Sequence, residues 1–300
     1  MNVPSAGAVY DRGYRPYEGA RGGRGASRAA LVRLSIRRAL GLRRSWRQKV
    51  LPWSLLAIAS VPAVVNVGLK YVTRDTPAAS LDLITFREYV GVSTTLLLFV
   101  AVTAPDMVCP DRRNRVLPLI FARPLTGNDY VLAKVGALTA ILFGFSFIPQ
   151  VVLFVGQMFV VRDGALDFLT ENAEVLWQVP VAIALFSLYW AALALAVSAT
   201  TARRVVGGVA LLATVLISGT VATILVRAGG GSFFEGGNLW GLLSATDLPL
   251  RMSDLVFLGH VDPESLVGGA AGAGIGVVLV YAAVVAGSLG YLVYRYRQVQ

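Results

Sequence analysis

Between residues 106 and 134 the chain sets ionisable and apolar side chains side by side. Asp106 and Asp111 are followed by Arg112, Arg113 and Arg115, then by the apolar cluster Leu117, Leu119, Ile120 and Phe121, then by Pro124, Asp129, Tyr130 and Lys134. Acids and cations at this spacing suit ion pairing and recognition rather than bond making. A short amphipathic piece facing water must bury its apolar side somewhere. Two places suit it, the bilayer interface and a groove on a partner.

Catalytic and metal chemistry find no foothold. The lysines are Lys49, Lys70 and Lys134, and none follows the glycine spacing of a phosphate-binding loop, so ATP hydrolysis through such a loop is excluded. Neither G-x-S-x-G nor H-E-x-x-H occurs. The single histidine, His260, reads as a solvated loop residue, and one histidine builds neither a Ser–His dyad nor a His-based metal cluster. The single Cys109 closes no intrachain disulfide. The chain is therefore expected not to be an enzyme and to hold no cofactor or metal of its own.

The elements around this segment follow from composition. Of 300 residues, 56% are hydrophobic and only 15% charged, against about 25% charged in an ordinary soluble domain; mean hydropathy is +0.66. This excludes a soluble enzyme, a disulfide-stapled secreted module and an acidic disordered chain. A helix crossing the hydrocarbon core needs about 20 apolar residues. Six stretches reach that length: 50–69, 89–108, 131–160, 175–200, 205–226 and 266–294. Pro149 is expected to bend the third. The fold class is thus an all-α membrane protein with six spans. Placing both termini in the cytoplasm puts 21 of the 27 Lys and Arg inside, including those of residues 1–49, with 12 of the 17 acids outside. The positive-inside rule selects that orientation, in a plasma (inner) membrane.

Residues 1–27, rich in Gly and Arg, read as a disordered basic cytosolic tail. Its arginines suit anionic lipid, and nucleic acid is not expected as a partner. Residues 28–49 interleave leucines, Leu34 among them, with Arg37, Arg38, Arg43 and Arg44 ahead of Trp46, the pattern of a helix lying in the membrane interface. Outside, residues 227–265 form a long segment whose apolar pieces, 239–243 and 248–258, are too short to span and read as short helices that dip into the outer leaflet or cap the bundle. Gly268, Gly272 and Gly276 make two GxxxG frames, expected to let the last span pack closely within the chain. The spans carry almost no ionisable group, which disfavours an ion-coupled carrier. Asn66, Gln150, Gln157, Tyr189, Ser218 and Thr220 are candidates to line a pathway or to join helices.

The segment after the second span resembles the corresponding loop in permease subunits of type-2 ABC exporters: an acidic residue, a Leu-rich short helix, a proline and then a lysine. Asp111, Leu117, Leu119, Pro124 and Lys134 match that pattern, and Asp129-Tyr130 accompanies the lysine. Where the family commonly has Gly-Thr before the leucine, this chain has Arg115-Val116. The basic helix ahead of six spans and the long outer segment before the last span fit the same plan, so the resemblance covers residues 28–300.

The resemblance implies a single-repeat permease that pairs with a second copy or a close paralogue and with two separate P-loop ATPase subunits, which bind ATP and Mg. Within the loop 109–134, Asp111, Arg115, Leu117, Leu119, Ile120, Phe121, Pro124 and Lys134 would couple to the ATPase. Residues 28–49 would be the connecting helix. The expected function is export through a pathway between the spans. The alternatives are a non-transporting scaffold or regulator associated with an ATPase, and a stand-alone carrier.

Overall fold

A computed structural model describes residues 22–42, 46–73, 76, 85–90, 93–122, 124–161, 164–229 and 237–298. Most of the tail, together with Arg43 and Arg44, lies outside the described residues. Every regular element among the described residues is helical. In chain order these are α1 (Arg24–Ala39), α2 (Trp46–Thr73), α3 (Phe86–Val90), α4 (Ser93–Arg113), α5 (Leu117–Phe121) and α6 (Gly127–Val160). They continue with α7 (Ala165–Glu171), α8 (Val175–Ser198), α9 (Arg204–Ala228), the 3-10 helix Leu239–Leu243, α10 (Asp247–Leu258) and α11 (Ala273–Arg297). Among the described residues, six spans are long and apolar enough to cross a membrane, carried by α2, α3–α4, α6, α8, α9 and α11. The chain is a multi-pass membrane protein by that measure.

The spans divide by burial. α4, α6 and α8 form the middle of the bundle, with Phe99, Met107, Leu138, Leu142, Ile183 and Leu195 fully enclosed. α2, α9 and α11 leave large apolar side chains such as Val64, Leu216 and Ile275 facing outward, the surface that lipid solvates. The first and last helices, α1 and α11, meet the start of α6. Arg24 and Arg28 pair with Asp129, Arg297 donates to Asn128, and Tyr296 lies 4.8 Å from Tyr130, ring to ring. Arg112 donates to the Ala199 carbonyl after α8, and Arg204 pairs with Asp106 at 2.5 Å. These contacts gather α1, the C-terminal ends of α4, α8 and α11, and the starts of α6 and α9 at one basic end.

Several element boundaries differ from the sequence reading. The amphipathic helix starts at Arg24 and ends at Ala39, and Trp46 opens α2 instead of closing that helix. The segment from 109 to 134 is less a loop than two helix ends: α4 runs on to Arg113 through Pro105 and Pro110, and α6 starts at Gly127. Thr126 fixes that start through a capping box with Asp129, whose carboxylate accepts from the Thr126 backbone N–H at 2.9 Å. α6 runs as one helix through Pro149.

The last span begins at Ala273, not 266, so Gly268 and Gly272 precede it and the GxxxG frames do not lie on one helix face. Gly272 is the N-cap, with φ +75°, a left-handed conformation that glycine adopts without steric cost. Gly268 serves a loop. Its Cβ would stand 2.1 Å from the Pro263 carbonyl oxygen, and one at Gly237 would stand 1.8 Å from that of Leu266. Gly237 and Gly268 are joined by a 2.7 Å backbone hydrogen bond. Gly268→Ala is therefore expected to lower the melting temperature, at a cost of about 1–3 kcal/mol. Gly287→Ala, within α11 with nothing near the new methyl, is expected to leave it unchanged or raise it. Thermal unfolding of the two variants in detergent compares them directly.

The opposite end is tied by charge. Arg87 of α3 reaches Asp262 at 3.0 Å and Asp254 at 3.7 Å, while Arg251 reaches Asp254 at 2.8 Å and Asp247 at 3.4 Å. Burial pushes the Asp247 and Asp254 carboxyls up from the ordinary carboxylate value. The Glu264 backbone N–H and then Arg87 hold Asp262 below it, against the effect of burial. A raised carboxyl takes up its proton in the folded state first, so its contribution to stability grows as pH falls; a lowered one acts in the reverse sense. Acidification from neutral is thus expected to slow exchange of the α10 amides as Asp247 and Asp254 take up protons above the ordinary carboxylate value. Protection is expected to fall again once Asp262 protonates, below about pH 4. Hydrogen exchange corrected for intrinsic rates reads both limbs.

Candidate partner-docking site at the basic end

The candidate site is built on Asp111, near the C-terminal end of α4. Only 3% of the residue is exposed, and an ionised carboxylate at that depth must be paired. Three donors meet it. Lys134 Nζ lies 2.7 Å from Oδ2, Arg38 of α1 donates to Oδ1 at 2.8 Å, and the Tyr130 hydroxyl donates to Oδ2 at 2.9 Å. Lys134, itself 4% exposed, also donates to the Met107 carbonyl at 2.7 Å. Residues from α1, α4 and α6 are thereby locked together around one carboxylate.

α5 sits over this cluster. A tight turn joins it to α4, with Arg115 at φ 52°, a left-handed conformation uncommon for a residue bearing a Cβ. The Val116 N–H donates back to the Asp111 carbonyl at 3.1 Å. Pro118 occupies the first turn of α5, where its missing N–H has no ladder partner to lose. Leu117 is buried and anchors α5 to the core. Ile120 and Phe121 are half-buried, Phe121 edge-on to Tyr130 at 6.2 Å. Leu119 points away from the bundle, 70% exposed.

The residues expected to couple thus divide by role. Leu119 and exposed Arg115 and Pro124 lie at the surface; Ile120 and Phe121 form its shoulder; Asp111, Leu117 and Lys134 lie underneath as support. On α1, Arg38 joins the cluster, while Leu34 and Arg37 are exposed. Trp46 is exposed at the start of α2. Sequence reasoning missed Arg24, Arg28 and Tyr130 as clamps. The Thr126-x-x-Asp129 capping signal was readable; its capture by arginines about a hundred residues away was not.

Of the six pathway candidates, only Asn66 and Gln157 meet. Gln157 of α6 donates to Asn66 of α2 at 3.3 Å, and Gln150 donates to the Phe86 carbonyl at 2.8 Å, helix-to-helix links of which the first is buried and the second partly so. Tyr189 stacks on Tyr281 at 5.7 Å within the core. Ser218 accepts from the Ala245 N–H at 3.2 Å and so ties α9 to the outer segment. Thr220 lines a cavity among the described residues. That cavity of about 670 Å³ lies between α4, α8 and α9, with Phe186, Trp190, Thr223 and Arg227 on its walls. No group of three or more His, Cys, Asp or Glu among the described residues is placed to hold a metal ion. No protein-family model matches the chain, and no curated protein is significantly similar to it.

Proposed function

We propose that this chain is the membrane-spanning subunit of an ATP-driven exporter of the type-2 ABC class, with α5 as the element that docks a separate P-loop ATPase. The observation that carries the reading is the pairing of an exposed leucine with a rigid base. Leu119 stands 70% exposed on a five-residue helix, over a carboxylate held by two cations and a tyrosine. An apolar knob suits burial in a partner's groove, and a locked base suits a lever, since a force applied to α5 passes into α4 and α6. In this reading the basic end faces the cytoplasm, as the positive-inside rule favours. α1 rests at the membrane surface, and a second copy completes the transporter. The cavity beside Thr220 and Trp190 suits an amphipathic cargo, with hydroxyls and Arg227 beside aromatic walls.

Affinity purification of the full chain from its native membrane tests the docking step. The wild type is expected to retain a P-loop ATPase, and Leu119→Asp and Ile120→Asp to lose it. Retention by both variants would remove α5 as the docking element. Vesicles reconstituted with that ATPase separate an exporter from a scaffold, since only an exporter moves cargo when ATP is supplied.

A further inference from the structure

A second cavity, of about 550 Å³, opens between α1, α5 and the first two turns of α6. Its charged lining is Arg33, Arg37, Arg38 and Lys134, against the single carboxylate of Asp111. Lys134 and Arg38 already share that carboxylate. Arg33 and Arg37 are exposed and have no ion-pair partner among the described residues. Ser35 also lines the cavity, 1% exposed, and its hydroxyl finds no hydrogen-bond partner among the described residues. The rim is apolar: Leu34 and Leu119 line the cavity and stand 55% and 70% exposed.

We infer that this cavity binds the phosphate headgroup of an anionic glycerophospholipid. Two guanidinium groups without an ion-pair partner among the described residues and an unsatisfied hydroxyl match phosphate oxygens, and Leu34 of α1 on the rim matches the glycerol and upper acyl carbons. The position favours lipid over an acidic peptide, because the cavity lies where an amphipathic helix meets the first turns of a membrane span, at headgroup depth. The bound lipid would brace α1 against the base of α5. This inference requires no ATPase and stands whether or not α5 docks one.

The test is native mass spectrometry of the full chain in detergent, titrated with phosphatidylglycerol or phosphatidylcholine. The wild type is expected to hold phosphatidylglycerol about tenfold more tightly than phosphatidylcholine, and Arg33→Gln/Arg37→Gln to abolish most of that preference. Both arginines are exposed and without an ion-pair partner among the described residues, so their replacement leaves the fold intact. Arg33→Lys/Arg37→Lys is expected to retain part of the preference. Arg113→Gln/Arg203→Gln removes the same charge from the same end, outside the cavity, and is expected to behave as wild type. Equal loss in that control would reduce the effect to net charge. An unchanged Arg33→Gln/Arg37→Gln variant would overturn the site. Equal or tighter binding of glycerol phosphate or of a soluble glutamate-rich peptide would overturn the lipid as its occupant.

Discussion

Lys134→Met is expected to lower the unfolding free energy by about 3–5 kcal/mol, because it strips a buried carboxylate of its nearest cation. Asp111 retains Arg38 and the Tyr130 hydroxyl, but Arg38 is partly open to solvent and compensates weakly. Asp111→Leu alone should cost a similar amount, since it strands the Lys134 ammonium in a place where almost none of it meets water. The double replacement removes both charges and should be milder than either single, as exchanging a buried ion pair for apolar groups of like size often is. Thermal unfolding of the four proteins in detergent, arranged as a double-mutant cycle, measures the coupling. Additive single effects would mean that the 2.7 Å contact does not hold α4 to α6.

The second large effect concerns the surface of the same site. Leu119→Asp is expected to weaken ATPase binding by about 2 kcal/mol or more, roughly thirtyfold, the loss typical when a buried interface anchor is replaced. Its effect on the stability of the isolated chain should stay within about 0.5 kcal/mol, because the side chain is exposed and makes no contact that the fold depends on. Leu119→Met keeps volume and apolarity and should bind within a fewfold of wild type. Leu117→Asp should reverse the pattern, disrupting folding before binding, since Leu117 is buried in the core. A titration of purified ATPase against each variant, alongside its melting curve, separates anchor from support.

These two residues show how far the sequence can be read. The six spans were legible because a helix in hydrocarbon needs an unbroken apolar run, and such runs survive without tertiary information. The short helices of the outer segment were legible for the same reason. The division of labour inside 117–121 was not, because a five-residue helix presents every side within one and a half turns. Which leucine faces inward is set by the tight turn at Arg115 and the packing of α5 on Tyr130. Asp111 and Lys134 were singled out by resemblance, but their burial and the arrival of Arg38 are long-range events. The glycines near 268 misled because spacing alone does not distinguish a helix face from a loop held at close approach. The neutral polar residues behave as links between helices because in hydrocarbon a hydrogen-bonding side chain finds a protein partner where it can.

If Leu119 enters a groove on a separate ATPase, a reactive group carried at that position meets the ATPase. Cys109 is the chain's single cysteine and is fully buried, so a thiol introduced by Leu119→Cys is the one exposed thiol available for labelling. Carrying a photo-crosslinker there in native membranes, the chain is expected to join covalently to a P-loop ATPase, and to do so less when excess unlabelled chain competes. Crosslinks to lipid alone, in membranes where the ATPase is present and active, would mean that α5 faces the bilayer and docks no ATPase.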